Sequence, residues 1–302
     1  MLPREGFVTA DDGVRLFFQT VGTGSKTVVV PNGFYLVDDF APLGDGRTII
    51  FYDARNRGRS EPVDDVSKLE RGIHRDVDDL EVIRRQFGID PIDVIGHSYM
   101  GLMVILYAMK YGAHVDRVVA IGPMEPKQGT PYPPHLTGAD ATLQDCLARI
   151  AELQKERGTV DPQEFCRRFW SILRVIYVAN PADAGKITWG RCDLPNELNL
   201  MKYWTTITLP SIQKLDLTPD AIASVQAPVL IVHGRKDRSS PYGGAREWAL
   251  MLPHARLLTV DEAAHVPWLE APEPVFASMR TFLDGAWPDA ALDVKSVEAL
   301  EP

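Results

Sequence analysis

The sequence has only three cysteines among its 302 residues: Cys146, Cys166 and Cys192. The number is odd and no two are spaced Cys-x-x-Cys, which argues against structural zinc and against a disulfide framework. Each is expected to be a small buried apolar residue in a reducing compartment, which makes the cytoplasm the expected location. Long apolar runs are also missing. None approaches the ~18 residues of a membrane span, and the opening stretch MLPREGFVTADDG lacks the apolar centre of a secretory signal. Positive charge is in deficit: 32 Lys and Arg stand against 41 Asp and Glu, a net charge of −9. That balance disfavours nucleic acid and anionic membrane as partners and leaves a small-molecule substrate as the expected one. No internal repeat or low-complexity tract breaks the chain. With 45% hydrophobic and 24% charged residues, it can bury a full core as one large domain or as a domain with an insertion.

Two apolar stretches around the turn Asp11-Asp12-Gly13 predict a pair of strands. TVVVPNG (27–33), RTIIFYD (47–53), IDVIG (92–96), VDRVVAIG (115–122), PVLIVHG (228–234) and ARLLTV (255–260) predict six more. These are nearly continuous apolar runs, the pattern of a parallel sheet covered on both faces. Helical patterns alternate with them at 73–88, 100–112, 242–253 and 272–285. The alternation predicts an α/β fold with a mostly parallel central sheet and helices on both faces. Between about 124 and 225 the rhythm changes to helical patterns alone, at 139–157, 161–179 and roughly 196–206. We therefore expect a core built from 1–123 and 226–288, a helical lid at 124–225 and a loosely attached tail at 289–302. Trp170, Tyr177, Trp189, Tyr203 and Trp204 lie in the lid. They either glue it to itself and to the core, or line an apolar pocket.

One stretch carries chemistry: DVIGHSYMG (93–101). A strand that ends in Gly-x-Ser-x-x-Gly and feeds a helix makes a tight turn, leaving the serine exposed at the carboxyl end of the sheet. A hydroxyl is a weak nucleophile and needs a base, which in turn needs an orienting acid. Asp237 follows the strand 228–234 and His265 follows the strand 255–260. Ser98, Asp237 and His265 thus all fall in loops after strands, the edge where such sheets place their chemistry. Glu125, after the strand 115–122, is the rival for the acid.

With these residues, the chain resembles the α/β-hydrolase superfamily over roughly 5–285. The resemblance is to the lidded branch that holds prolyl iminopeptidases, small esterases and lactonases. FYDARNRGRS (51–60) is similar to the branch's Asp-x-Arg-Gly-x-Gly-x-Ser loop, with Asn56 in place of the first glycine. GRKDRSSP and AAHVPWLEAPE resemble its acid and histidine loops. Two further departures are Met100 where the elbow has glycine, and Asn32 where the branch has His before Gly33. The resemblance implies an oxyanion hole made by the backbone N–H groups of Tyr99 and Phe34, and no metal or organic cofactor. It implies a serine hydrolase working through an acyl-enzyme. A carboxylic-ester hydrolase for a small to medium apolar substrate is the first reading. The second is an aminopeptidase of the prolyl iminopeptidase type, a family whose lid glutamates bind the substrate's free amine. Asp193, Glu197 and Glu125 are the acids on offer, although Asp193 and Glu197 also suit a helix start, where acids cap and meet the dipole. A non-catalytic ligand-binding relative is the third reading. Oligomeric state is not legible.

Overall fold

The computed structural model describes residues 4–298. A nine-stranded sheet has the order β1-β2-β4-β3-β5-β6-β7-β8-β9. Its strands are β1 (Glu5–Thr9), β2 (Arg15–Gly22), β3 (Lys26–Pro31), β4 (Arg47–Tyr52), β5 (Ile92–His97), β6 (Val115–Ile121), β7 (Val229–Gly234), β8 (Ala255–Val260) and β9 (Ala291–Leu292). The run β4-β3-β5-β6-β7-β8 is parallel; β2 joins β4, and β9 joins β8, antiparallel. All six residues of β4, β5 and β7 are buried, which is why these strands read as unbroken apolar runs rather than alternating ones.

Eleven α-helices occur among the described residues. Before the insertion come α1 (Gly33–Phe40), α2 (Ile73–Phe87) and α3 (Tyr99–Tyr111). Helix α3 is buried from Tyr99 to Ala108, as an all-round apolar helix must be. Between β6 and β7 come α4 (Ala141–Lys155), α5 (Pro162–Leu173), α6 (Pro195–Tyr203), α7 (Leu209–Gln213) and α8 (Pro219–Ala223), with no strand among the described residues. Then follow α9 (Tyr242–Met251), α10 (Pro267–Glu270) and α11 (Pro272–Leu283). Asp140 caps α4 and Asp161 caps α5 through their carboxylates. Among the described residues no helix is long and apolar enough to cross a membrane.

Two expectations need correction. Cys166 and Cys192 form a disulfide, joining α5 to the segment before α6, and only Cys146 is free. The pair spans 26 residues and carries no spacing signature; only the packing of the insertion brings the two together. The tail is not loose over its described part. It adds β9 to the sheet, buries Val294, and gives the carbonyls of Ser296 and Val297 to Arg246; residues 299–302 lie outside the described part. The segment after β3 is helix α1. Asn32 enters it with φ 60° and ψ 45°, a left-handed start that Asn tolerates.

Candidate active site

The elbow at Ser98 follows from the ends of β5 and α3. Ser98 has φ 58° and ψ −121°, a backbone strain of roughly 1–3 kcal/mol that the flanking elements hold in place. Its N–H donates to the Ile121 carbonyl at 2.9 Å, and its own carbonyl receives Gly101 and Leu102. A methyl group at Gly96 would overlap the Met100 carbonyl, and one at Gly101 would press on Pro123 at 3.0 Å. The close approaches of this turn therefore fall on Gly96 and Gly101, while the Met100 side chain points away, its sulfur 3.9 Å from Arg57. That is how the elbow tolerates Met100.

Asp237 and His265 meet at the ends of β7 and β8. His265 Nδ1 lies 2.7 Å from Asp237 Oδ2, and both residues are fully buried. The other oxygen, Oδ1, receives the N–H groups of Ser239 and Ser240 at 2.7 and 2.9 Å. Burial pushes the Asp237 carboxyl up, but the His265 charge and hydrogen bond, His233 and the Ser240 N–H outweigh it and hold it below the usual carboxylate range. An ionised Asp237 requires the proton on His265 Nδ1, which leaves Nε2 as the free base atom. Nε2 is buried without a hydrogen-bond partner among the described residues. Gly122, directly after β6, makes room for the ring: a Cβ there would stand 3.1 Å from His265 Nδ1.

The supporting shell is dense. His97 donates from Nε2 to the His265 carbonyl at 2.9 Å, and its ring packs on the His265 ring at 4.5 Å. Burial, then the neighbouring His265, push the His97 pKa well below its usual value. His233 donates from Nε2 to the Ser240 carbonyl at 3.0 Å, while its Nδ1 is buried with no hydrogen-bond partner among the described residues. Glu270 receives the N–H groups of Ala179 and Ala264, each at 2.7 Å, which ties the His265 loop to the insertion. Arg238, next to the acid, binds Asp140 at 2.7 Å and the Val178 carbonyl at 2.6 Å. Sequence reasoning missed Arg238 and also Trp268, which stacks on Trp189 and packs edge-on to His97. The signal for Trp268 was its place three residues after His265; for Arg238 there was none.

The other predicted residues scatter. The Tyr99 backbone N–H heads α3 beside Ser98, but its side chain turns inward, the hydroxyl donating to Asp76 at 2.6 Å. Phe34 is a correction: its N–H donates to Asp53 Oδ1 at 2.9 Å, so it is not free to bind an oxyanion. Asp53 also takes Arg59, while Arg55 takes Asp12 and Asp79. Asp193 is exposed and paired with Arg191 at 2.8 Å; it faces solvent, not a pocket. Glu125 accepts the Gly129 N–H at 3.2 Å, away from the imidazole that Asp237 holds.

Glu197 behaves otherwise. It is buried, receives the Tyr35 hydroxyl at 2.7 and 3.0 Å and the Trp170 indole N–H at 3.3 Å. Burial pushes its carboxyl up to about 7, partly offset by those two hydrogen bonds. Tyr35 stacks on Trp189 at 5.5 Å, and Tyr177 packs on both Trp189 and His265. Glu197 thus sits behind an aromatic wall that continues to the imidazole. Trp204 packs edge-on to Tyr99 at 5.6 Å, and Tyr203 lines a separate small cavity beside Arg55, Arg57 and Asp76.

A parallel sheet with a strained serine after β5, an acid after β7 and a histidine after β8 defines the class of the α/β hydrolases. The model of the α/β-hydrolase family matches residues 28–278, and the chain belongs to that family: it is an enzyme of the hydrolase class. It is 24% identical over 306 residues to the proline iminopeptidase of Heyndrickxia coagulans, covering 93% of this chain and 98% of that one. Among solved structures it resembles an esterase from Exiguobacterium antarcticum (TM-score 0.70, 18% identity, 92% of this chain and 99% of that one). It also resembles the enol-lactonase of Burkholderia xenovorans LB400 (TM-score 0.69, 16% identity, 92% and 100%). At those identities the structural likeness speaks for the fold.

Proposed function

We propose that this protein is a serine hydrolase that transfers an acyl group from a carboxylic ester to water, with the insertion over β6–β7 as its lid. The observation that carries the reading is the His265–Asp237 pair beside the strained Ser98. The His265 Nε2 atom has no hydrogen-bond partner among the described residues; rotation of the Ser98 side chain delivers the hydroxyl to it. Ser98 then attacks the carbonyl carbon as His265 takes its proton, and Asp237 stabilises the imidazolium. The oxyanion meets the Tyr99 N–H and the positive end of α3. His265 next returns the proton to the leaving alkoxide, and activates a water to cleave the acyl-enzyme.

A specific observation favours a second reading, an aminopeptidase of the prolyl iminopeptidase type. Glu197 is a buried lid carboxylate whose described hydrogen-bond partners are the neutral donors Tyr35 and Trp170, with Arg57 acting on it only through space, and an incoming ammonium would pair with it directly. The curated relative of nearly equal length is named a proline iminopeptidase. A paired assay of p-nitrophenyl butyrate against proline p-nitroanilide, with Ser98→Ala as blank, decides between them. Turnover of the ester alone supports the first reading. Turnover of the proline amide, lost in Glu197→Gln, supports the second. No covalent labelling of Ser98 by an organophosphate would sink both.

A further inference from the structure

The loop that presents His265 is anchored at three backbone atoms, and two of the anchors lead to the insertion. The His265 carbonyl receives His97 Nε2 at 2.9 Å, from the core. The His265 N–H donates to the Tyr177 carbonyl at 3.0 Å. One residue earlier, the Ala264 N–H donates to Glu270 Oε2 at 2.7 Å, and the other oxygen of Glu270 receives the Ala179 N–H at 2.7 Å. Residues 177–179 thus run beside 264–265, with Val178 extended (φ −116°, ψ 147°). One rung between the two segments is a direct peptide hydrogen bond. The other is a carboxylate set between two N–H groups. The acid loop is tied to the same strap: Arg238, next to Asp237, donates to the Val178 carbonyl at 2.6 Å and to the Ala179 carbonyl at 3.3 Å.

The chemistry of residue 270 matters for this arrangement. Two N–H groups cannot bond to each other, and an acceptor with two oxygens is needed to join them. An ionised carboxylate does so with two charge-assisted bonds. The loop has little slack elsewhere. On its other side the Ala263 and Ala264 carbonyls lie so close to Gly234 that a methyl group there would overlap both. The Tyr177 ring packs on the imidazole at 4.8 Å. A catalytic group misplaced by ~1 Å loses about 10²-fold in rate. A splint at the peptide before the imidazole is therefore placed where it governs Nε2.

We propose that Glu270 is a positioning residue for His265, splinting its loop to residues 177–179 of the insertion so that Nε2 stays within reach of Ser98. What His265 does there rests on the acyl-transfer reading above; the splint does not. The insertion is then part of the catalytic framework and not only a cover over it.

The test follows the labelling of Ser98 by diethyl p-nitrophenyl phosphate, which requires no knowledge of the substrate. Ser98 Oγ bonds to phosphorus, p-nitrophenolate leaves and is read by its colour, and His265 takes the hydroxyl proton. Glu270→Gln keeps the size but turns an N–H donor onto one of the two N–H groups. It is expected to lower the labelling rate about 10- to 100-fold at a temperature where circular dichroism shows it fully folded. Glu270→Asp keeps the charge but is one methylene too short to hold both groups. It is expected to fall likewise, and it carries the test if Glu270→Gln does not fold. Glu262→Gln, which alters an exposed acid of the same loop, is expected to leave the rate unchanged. On an ester that turns over, the loss is expected in kcat, with KM within about twofold. A lower melting temperature with an unchanged labelling rate would make Glu270 merely structural and overturn the proposal. So would a wild-type rate in Glu270→Asp, or a loss confined to KM. The proton between His265 Nδ1 and Asp237 gives a second readout through its low-field NMR resonance. A resonance shifted or lost to solvent exchange in Glu270→Gln supports the splint, and an identical one overturns it. If wild-type Ser98 is not labelled at all, the acyl-transfer reading has failed, and the resonance alone judges the splint.

Discussion

The Glu197 carboxylate and the Tyr35 hydroxyl, 162 residues apart in sequence, meet at 2.7 and 3.0 Å. Tyr35 belongs to α1, just after β3, and Glu197 to α6 in the insertion, so this contact joins core to insertion at an aromatic wall that ends on His265. Its electrostatics give a measurable consequence. The folded-state pKa of Glu197 is raised to about 7 by burial, above its unfolded value. The folded protein therefore binds a proton more tightly than the unfolded chain. The associated stability is fully present below pH 4.5 and lost as pH rises through 7. Glu197→Gln removes the titration while keeping the shape and the acceptor oxygen. Relative to wild type, the variant should gain up to roughly 3 kcal/mol between pH 4.5 and 8. Denaturant unfolding of both proteins across that range checks it; a constant difference would refute the assignment.

Ser98→Ala and His265→Ala should each cost on the order of 10⁴–10⁶ in kcat on whichever substrate turns over, with the melting temperature little changed. Asp237→Asn should cost about 10⁴, because it lets the wrong imidazole tautomer form. Glu125→Gln should stay near wild type. An active Asp237→Asn beside a dead Glu125→Gln would reverse the choice of acid.

Gly96→Ala should abolish folding or cost several kcal/mol, on the order of the larger overpacking penalties, since the added methyl collides with the Met100 backbone and not with a movable side chain. Met100→Gly should instead keep the elbow and lose only packing near Arg57. Circular dichroism melts of the two variants separate these outcomes.

The Cys166–Cys192 disulfide closes a loop of 26 residues, for which chain entropy gives about 3–4 kcal/mol of stabilisation. Reduction, or Cys192→Ser, should lower the melting temperature, and alkylation followed by intact mass should find one free thiol before reduction and three after. Three alkylated thiols without reductant would disprove the bridge.

The sheet was legible because its parallel strands are buried on both faces. Val28–Val30, Ile49–Phe51 and Val229–Val232 have to be apolar throughout, and that requirement is written into consecutive residues. The positions of Ser98, Asp237 and His265 were legible for a related reason: each must follow a strand end, a local property. What needed three dimensions was every relationship across the insertion. Glu197 and Asp193 stand four residues apart with the same charge, yet one is buried against Tyr35 and Trp170 and the other is exposed beside Arg191. Phe34 is placed by alignment at the oxyanion position, but the side chain of Asp53, a strand away, claims its N–H. The cysteine pair likewise arises from how distant segments pack. Periodicity records which face of an element is buried, and so the sequence by itself determined the sheet, the helices and the order of the site's residues. Only tertiary packing sets which polar group each buried partner meets, and so only the structure decided the walls of the site.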